Sequence, residues 1–293
     1  MEYPKEIFVK DYFEIHNYYT NIYGKDRTIV LMQVGSFHEA YCTDNEGINL
    51  IRLSQEIDIC CTQKNSNLPL SKTNPRMMGF PLHVTHTYID KLIDMNYTIV
   101  LIDQTTEPPN PKRQVTGIYS PATHINNKTN KTNFLVSIVI DKIRESKTNT
   151  MQICIGLSAY DLTTGEGSVY ETYSKSNDVL IGLDDALRFL ENYPPREIIL
   201  ENNLSSDDTF ANMKIDELLC YLNINQSDTY SVKINQHKKL SWQKNIFNKI
   251  YKMESNIDPI ELLGLQYLNW GRLSLVLLLD YVMNHQPRLV ESL

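Results

Sequence analysis

The chain has 293 residues, with 28 Lys+Arg against 35 Asp+Glu and a formal net charge of −7. Hydrophobic residues make up 42% and charged residues 22%, which excludes a disordered chain, a collagen-like fibre and a membrane channel. The negative total also excludes a protein that coats nucleic acid by bulk charge, while leaving room for a local DNA-binding face. At roughly 150 residues per domain, the length fits two domains and a fragment of a third.

Ile7, Phe8, Tyr12, Ile15, Tyr19 and Ile22 recur at helical spacing and predict an amphipathic helix over 4–23, stopped by Gly24. Residues 28–34 (Thr-Ile-Val-Leu-Met-Gln-Val) predict a buried strand. Gly35-Ser36 breaks it, and Phe37-His38-Glu39 follows at the break. Asp44 is placed to cap a short helix running to about Gln55. A helix over 81–95, closed near Asn96, and a second buried strand over 97–102 complete an α/β pattern. Pro108, Pro109 and Pro111 then punctuate the chain, and the polar run 126–133 reads as a linker or loop tip. Strands are expected over 134–140, 152–160 and 168–172, with a charged turn to 149 and a hairpin turn at Gly165. A helix over 184–192 and a buried strand over 197–200 follow. From about Trp242 the pattern is helical. Its surface at Leu262, Leu265, Leu268, Trp270, Leu273, Val276 and Leu277 is so apolar that it calls for helical partners, of which few residues remain.

Five cysteines (Cys42, Cys60, Cys61, Cys154 and Cys220) are an odd number. The first ten residues carry Glu2, Lys5, Glu6 and Lys10 without an apolar run, so a reducing, intracellular setting is expected. The longest apolar run, 273–279, falls far short of the roughly 20 residues a span needs, so no membrane partner is expected. Residues 59–89 contain no acid yet hold Lys64, Lys72 and Arg76; residues 108–140 contain none and hold Lys112, Arg113, Lys128 and Lys131. On charge alone these are equally one positive face or two solvated loops.

Catalytic motifs are absent. Gly24-Lys25 is followed by Asp26 and lacks the preceding glycine of a phosphate-binding loop, and no G-x-S-x-G, H-E-x-x-H or G-x-G-x-x-G occurs. No catalytic, cofactor-binding or metal-binding residue is therefore assigned in this chain. Cys60, Cys61, His83 and His86 lack the C-x2-C spacing of a zinc site and read better as half-buried cysteines and surface histidines. Asp161, Glu166 and Glu201 are the acids that a metal-dependent RNase H-like nuclease would use; their alternative reading is a turn aspartate, a hairpin glutamate and a strand-end glutamate.

Phe37-His38-Glu39 is the most informative trio. A projecting Phe37 can enter a base step and unstack it, which is worth roughly 1–3 kcal/mol per stacked base. A carboxylate beside phosphates makes sense only if Glu39 meets a base edge. The competing reading is a core phenylalanine and a solvated surface acid.

At these residues the chain resembles a known family. Gly35-Ser36-Phe37-His38-Glu39 is similar to the G-D-F-Y-E segment of the MutS DNA mismatch-recognition proteins. In order, Met78-Gly79-Phe80-Pro81-Leu82-His83, Tyr88-Ile89-Asp90-Lys91-Leu92, Asp103-Gln104 with Glu107-Pro108, and Arg113-Gln114-Val115-Thr116 resemble further segments of its first domain. Asp161-Leu162-Thr163-Thr164-Gly165-Glu166 and Pro195-Arg196-Glu197-Ile198-Ile199-Leu200 resemble its connector, and 262–285 the start of its helical core. His38, Ser36 and Ala122 depart from the family's usual Tyr, Asp and Gly, which points to a divergent branch such as the giant-virus group.

The resemblance implies an α/β mismatch-recognition domain with a mixed sheet over 1–125. An RNase H-like connector over 126–241 and the first helices of an all-α core over 242–293 would follow. It implies mismatch binding by Phe37 and Glu39; Lys64, Lys72, Arg76 and Met78 are candidates for contacts to the DNA backbone or groove. It further implies, as partners, double-stranded DNA with mismatches or small loops, a homodimer at full length and a MutL-like downstream protein. ATP and Mg²⁺ would serve an ATPase outside these residues. The expected location is the cytoplasm, nucleus or a viral factory.

Overall fold

A computed structural model describes residues 3, 5–125, 133–144, 151–175, 178, 180–204, 213–224, 229–231, 236–251 and 257–285. Most of the expected linker 126–133 and the end of the charged turn at 145–149 lie outside them. The chain divides into two units, Met1–Asn126 and Asn127–Leu293.

In the first unit the two strongest β-branched runs become neighbours. After a single 3-10 turn at Val9–Asp11 come α1 (Tyr12–Tyr23), β1 (Thr28–Val34), β2 (Phe37–Cys42), α2 (Leu50–Ile57), β3 (Thr62–Gln63) and β4 (Arg76–Pro81). Next are α3 (Thr85–Asp94), β5 (Thr98–Gln104) and β6 (Arg113–Tyr119). The six strands lie in the order β3-β4-β2-β1-β5-β6. β1 and β5 pair in parallel from Thr28↔Thr98 to Met32↔Ile102, while β1–β2, β2–β4 and β5–β6 are antiparallel. Alternate residues serve opposite faces. Ile29, Leu31, Ala40, Met78, Phe80, Ile99 and Leu101 form one core with Leu50, Leu53 and Ile57 of α2 and Ile89, Leu92 and Ile93 of α3. The other face takes α1, whose buried Tyr12 donates to the Val30 carbonyl at 2.9 Å.

Two local expectations change. The helix expected from Pro4 begins only at Tyr12. The α2 cap is Asn49, whose side chain accepts from Arg52 N at 3.1 Å; Asp44 instead pairs with Arg76 at 2.9 Å.

The second unit opens with β7 (Phe134–Arg144), β8 (Met151–Asp161) and β9 (Glu166–Tyr173), an antiparallel meander. α4 (Leu180–Asn192), β10 (Pro195–Asn202), α5 (Ile215–Tyr221), β11 (Thr229–Ser231), α6 (Leu240–Tyr251), α7 (Pro259–Leu262) and α8 (Asn269–His285) follow. The sheet order is β11-β10-β7-β8-β9, with β10 parallel to both β7 and β11. Three antiparallel strands extended by two parallel ones give the RNase H-like, connector arrangement. α4 and α5 bury Leu183, Phe189, Leu190, Leu218 and Leu219 against Val136, Ile138, Ile155 and Leu157 on one face.

The helices expected from about Trp242 are present as α6, α7 and α8. α8 lies on the opposite face of this sheet, with Leu273 and Leu277 against Val139, and the contacts gather 127–293 into one unit. Among the described residues, this apolar helix packs against the sheet and against α6. Glu171 of β9 accepts from the Trp270 and Gly271 amides at 2.5 and 3.0 Å, satisfying two donors at the start of α8. Ser274 donates to the Ser137 carbonyl at 2.7 Å. Buried Arg272 reaches Gln243 of α6 at 2.8 Å, the Leu265 carbonyl at 2.9 Å and Asn269 at 3.0 Å. No described helix is long and apolar enough to cross a membrane.

Candidate nucleic-acid interface

Phe37 is the first residue of β2, directly after a two-residue turn. Val34 pairs with Phe37, so Gly35-Ser36 forms the whole loop, and Gly35 takes φ +60°. A tight hairpin turn with a positive φ at its first central position favours glycine there. Phe37 is 43% exposed, unusual for a phenylalanine in the middle of a sheet order. Period 2 places Phe37, Glu39 and Tyr41 on one face and His38, Ala40 and Cys42 on the core face. The structure therefore brings Phe37 and Glu39 together on the α1 side, where Pro81 and Gly79 of β4 pair with them.

The turn is held from β5 and β6. The Gln104 amide N–H donates to Gln33 Oε1 at 2.8 Å, and Arg113 Nε donates to the Gln33 carbonyl at 3.0 Å. Gln33 Nε2 closes back on the Gly35 carbonyl at 3.1 Å. Arg113 also donates to the Pro111 carbonyl at 3.3 Å, so its guanidinium braces the hairpin from within the protein.

His38 works from beneath. Its Nδ1 lies 2.7 Å from Thr85 Oγ1 and its Nε2 2.7 Å from Asp103 Oδ1; Asp103 also accepts from Thr116. A carboxylate can only accept, so Nε2 carries a proton and donates to Asp103. Burial by itself would raise the Asp103 carboxyl, but the His38 and Thr116 hydrogen bonds outweigh it and hold it below its ordinary value of 3.8. A carboxyl depressed in the folded state stabilises the fold above its unfolded value and loses that contribution as pH falls through the folded one. Asp103→Asn is therefore expected to destabilise β2 at neutral pH. The gap from the parent should narrow as pH falls below about 4, read by hydrogen exchange at the β2 amides. A gap constant from pH 7 to 2 would refute this role.

The remaining expected contacts sort differently. Met78 is 1% exposed, on the core face opposite Phe37, and pairs with Ala40; its side chain is packing and not a groove contact. Period 2 assigns it there, because β4 presents Met77 and Gly79, not Met78, beside Tyr41 and Glu39. Lys72 pairs with Glu46 at 2.8 Å and Arg76 with Asp44 at 2.9 Å, so two charges from the acid-free stretch are met by acids from the β2–α2 loop. A stretch free of acids in sequence is not free of them in space. Lys64 is exposed, in the loop between β3 and β4. That loop is organised by buried Asn74, which accepts from Asn65 N at 2.8 Å and donates to the Asn65, Leu68 and Pro69 carbonyls at 2.9–3.2 Å. Arg76 starts β4 while Pro81, beside Phe37, ends it, so this basic region lies roughly 17 Å along the strand from the aromatic at about 3.4 Å per residue.

The nuclease acids do not converge. Asp161 pairs with Glu166 across the β8–β9 hairpin, and Asp161 Oδ1 caps its own turn by accepting from Thr163 N at 2.8 Å. Through β7, Asp161 lies level with Phe134 and Glu201 level with Val139, about 17 Å apart along the strand. Among the described residues no three His, Cys, Asp or Glu side chains are grouped to hold a metal ion.

Sequence reasoning assigned no role to Tyr41, and read Asp103, Gln104 and Arg113 only as members of motifs. The alternation of residues 37–42 was a usable signal for Tyr41; no local signal links His38 to Asp103.

Comparison with known proteins adds an independent line. Residues 8–128 match the family model of MutS domain I. The DNA mismatch repair protein MutS homologue of Acanthamoeba polyphaga mimivirus is 28% identical over 99% of this chain and 28% of its own length. The DNA mismatch repair protein MutS of Streptococcus mutans is 27% identical over 90% of the chain and 25% of its own length. That of Finegoldia magna is 30% identical over 60% and 19%. The chain thus spans about a quarter of the length of the curated relatives it matches. The ordered motifs, the two-sheet architecture and these matches converge: together they support an N-terminal fragment of a MutS-type protein.

Proposed function

We propose that this chain recognises mismatched double-stranded DNA, with Phe37 as a wedge and Glu39 as the group that meets the base. The observation that carries the reading is a half-exposed phenylalanine on a braced hairpin, with a carboxylate two residues on along the same face. A wedge must enter a base step without folding back, and the Gln33, Gln104 and Arg113 bonds supply that stiffness. Entry unstacks and kinks the duplex, which costs less where bases are mispaired and stack poorly, so deformability selects the site. Glu39 is repelled by phosphates and accepts from a base N–H only once the step has opened.

Exposed Lys64 and Lys112 are suited to phosphate contacts that position the protein. Lys72 and Arg76 reach phosphate only by leaving Glu46 and Asp44. In this reading the second unit is a mechanical connector within a longer mismatch repair protein. ATP, Mg²⁺, dimerisation and the MutL-like partner belong to regions beyond these residues. The test is titration of the protein against one duplex sequence in matched, G·T and single-unpaired-base forms, at fixed salt. Tighter binding to the two defective duplexes is expected; equal affinity for all three would overturn the reading.

A further inference from the structure

We infer that Tyr41 is a positioning residue that holds one carboxylate oxygen of Glu39 and leaves the other to meet the base. The inference rests on the wedge reading and adds how the carboxylate is presented. Tyr41 is two residues after Glu39 on the same face of β2, and its hydroxyl donates to Glu39 Oε2. Its own ring is fixed in turn: Tyr12 meets it edge-on at 4.9 Å between centroids, and Tyr12 is anchored by its hydroxyl to the Val30 carbonyl at 2.9 Å. A chain of contacts therefore runs from α1 through Tyr12 and Tyr41 to the carboxylate.

The β4 side is shaped for the same purpose. Gly79 pairs with Glu39, and a Cβ there would lie 3.0 Å from Glu39 Cγ and 2.8 Å from the His38 carbonyl. Glycine thus leaves the room that the glutamate stem occupies. Burial first, then the bond to Glu39, push the Tyr41 phenol above its ordinary value, so it stays a donor at neutral pH.

The physical consequence is preorganisation. A free glutamate loses about 1.5–2 kcal/mol of rotamer entropy when ordered on a ligand. Here part of that ordering is complete before DNA arrives. With Oε2 engaged by Tyr41, Oε1 is the acceptor open to a base N–H.

A double-mutant cycle in the full chain tests this. Tyr41→Phe removes the hydroxyl and keeps the ring that packs on Tyr12. The preference for G·T over matched duplex should fall about three- to tenfold, in line with the loss of a hydrogen bond to a charged group. Matched-duplex affinity and the melting temperature should stay near parental values. Tyr41→Phe added to Glu39→Ala should have no further effect on the preference, because the phenol acts through that carboxylate. An equal loss in both backgrounds would mean a purely structural role and overturn the inference. Phe37→Ala separates the two levels. If it abolishes the preference while Tyr41→Phe leaves it intact, only the Tyr41 inference fails. If Phe37→Ala leaves the preference intact, the wedge reading fails, and the Tyr41 inference with it.

Discussion

Phe37→Ala is expected to abolish the preference for mismatched over matched duplex while leaving matched-duplex affinity within about twofold. The aromatic contributes only where a base step opens, so its loss should fall almost wholly on the defective duplex. Stacking of roughly 1–3 kcal/mol corresponds to about a 5- to 150-fold change in affinity. Folding should be unaffected: the side chain is 43% exposed and lies outside the core formed with α2 and α3. Phe37→Tyr and Phe37→Trp should retain part of the preference, since both present a π face. Fluorescence anisotropy with labelled matched and G·T duplexes at one salt concentration reads the ratio directly. An alanine variant that loses affinity equally for both duplexes would make Phe37 a general contact and remove the basis for selection by deformability.

The largest effect on stability is expected at Gly156. It pairs with Val139 at the centre of the second sheet, beneath the start of α8. A Cβ at this position would collide with the Trp270 carbonyl and lie 2.8 Å from Gly271 N, both backbone atoms that cannot rotate aside. α8 would have to lift from the sheet, straining the Glu171 bonds to the Trp270 and Gly271 amides and the Ser274 bond to the Ser137 carbonyl. Overpacking by one methyl typically costs about 1–3 kcal/mol, and weakened charged hydrogen bonds add to it. Gly156→Ala is therefore expected to destabilise the second unit by about 3–5 kcal/mol, lowering its melting temperature by roughly 10 °C. Trp242 and Trp270 both belong to this unit, so tryptophan fluorescence reports its unfolding selectively. A parental melting temperature would show that α8 does not need this close approach. The same result would favour 242–293 as an independent helical segment.

The two positions differ in how visible they were. Residues 28–34 and 97–102 announce buried strands by composition, and the structure places them side by side in parallel. The break at Gly35-Ser36 and the projection of Phe37 were also legible, because a glycine pair partner and a following aromatic are local features. Strand β2 itself was not. Its inward positions include His38, a polar residue whose burial is satisfied only by Thr85 and Asp103, 47 and 65 residues away. Strand β4 was hidden by the terminal Pro81 and by Gly79, whose use is to make room for a neighbour on β2.

Charge shows the same division. Composition left room for a local positive face, but it counted Lys72 and Arg76 as free, and Glu46 and Asp44 claim them. The apolar surface of α8 was read as needing helical partners, and among the described residues a sheet face also covers it, since a helix face carries no mark that distinguishes a sheet from another helix.

By itself the sequence determined the α/β class, the two main buried strands, the hairpin break and the Phe37–Glu39 pair, each written in spacing and residue type over a few positions. Tertiary structure alone decided which cations are neutralised, where Met78 points, what holds Glu39 and Asp103, and what α8 rests upon. Those depend on contacts between residues tens of positions apart, where hydrogen-bond satisfaction and close packing, not local propensity, choose the partner.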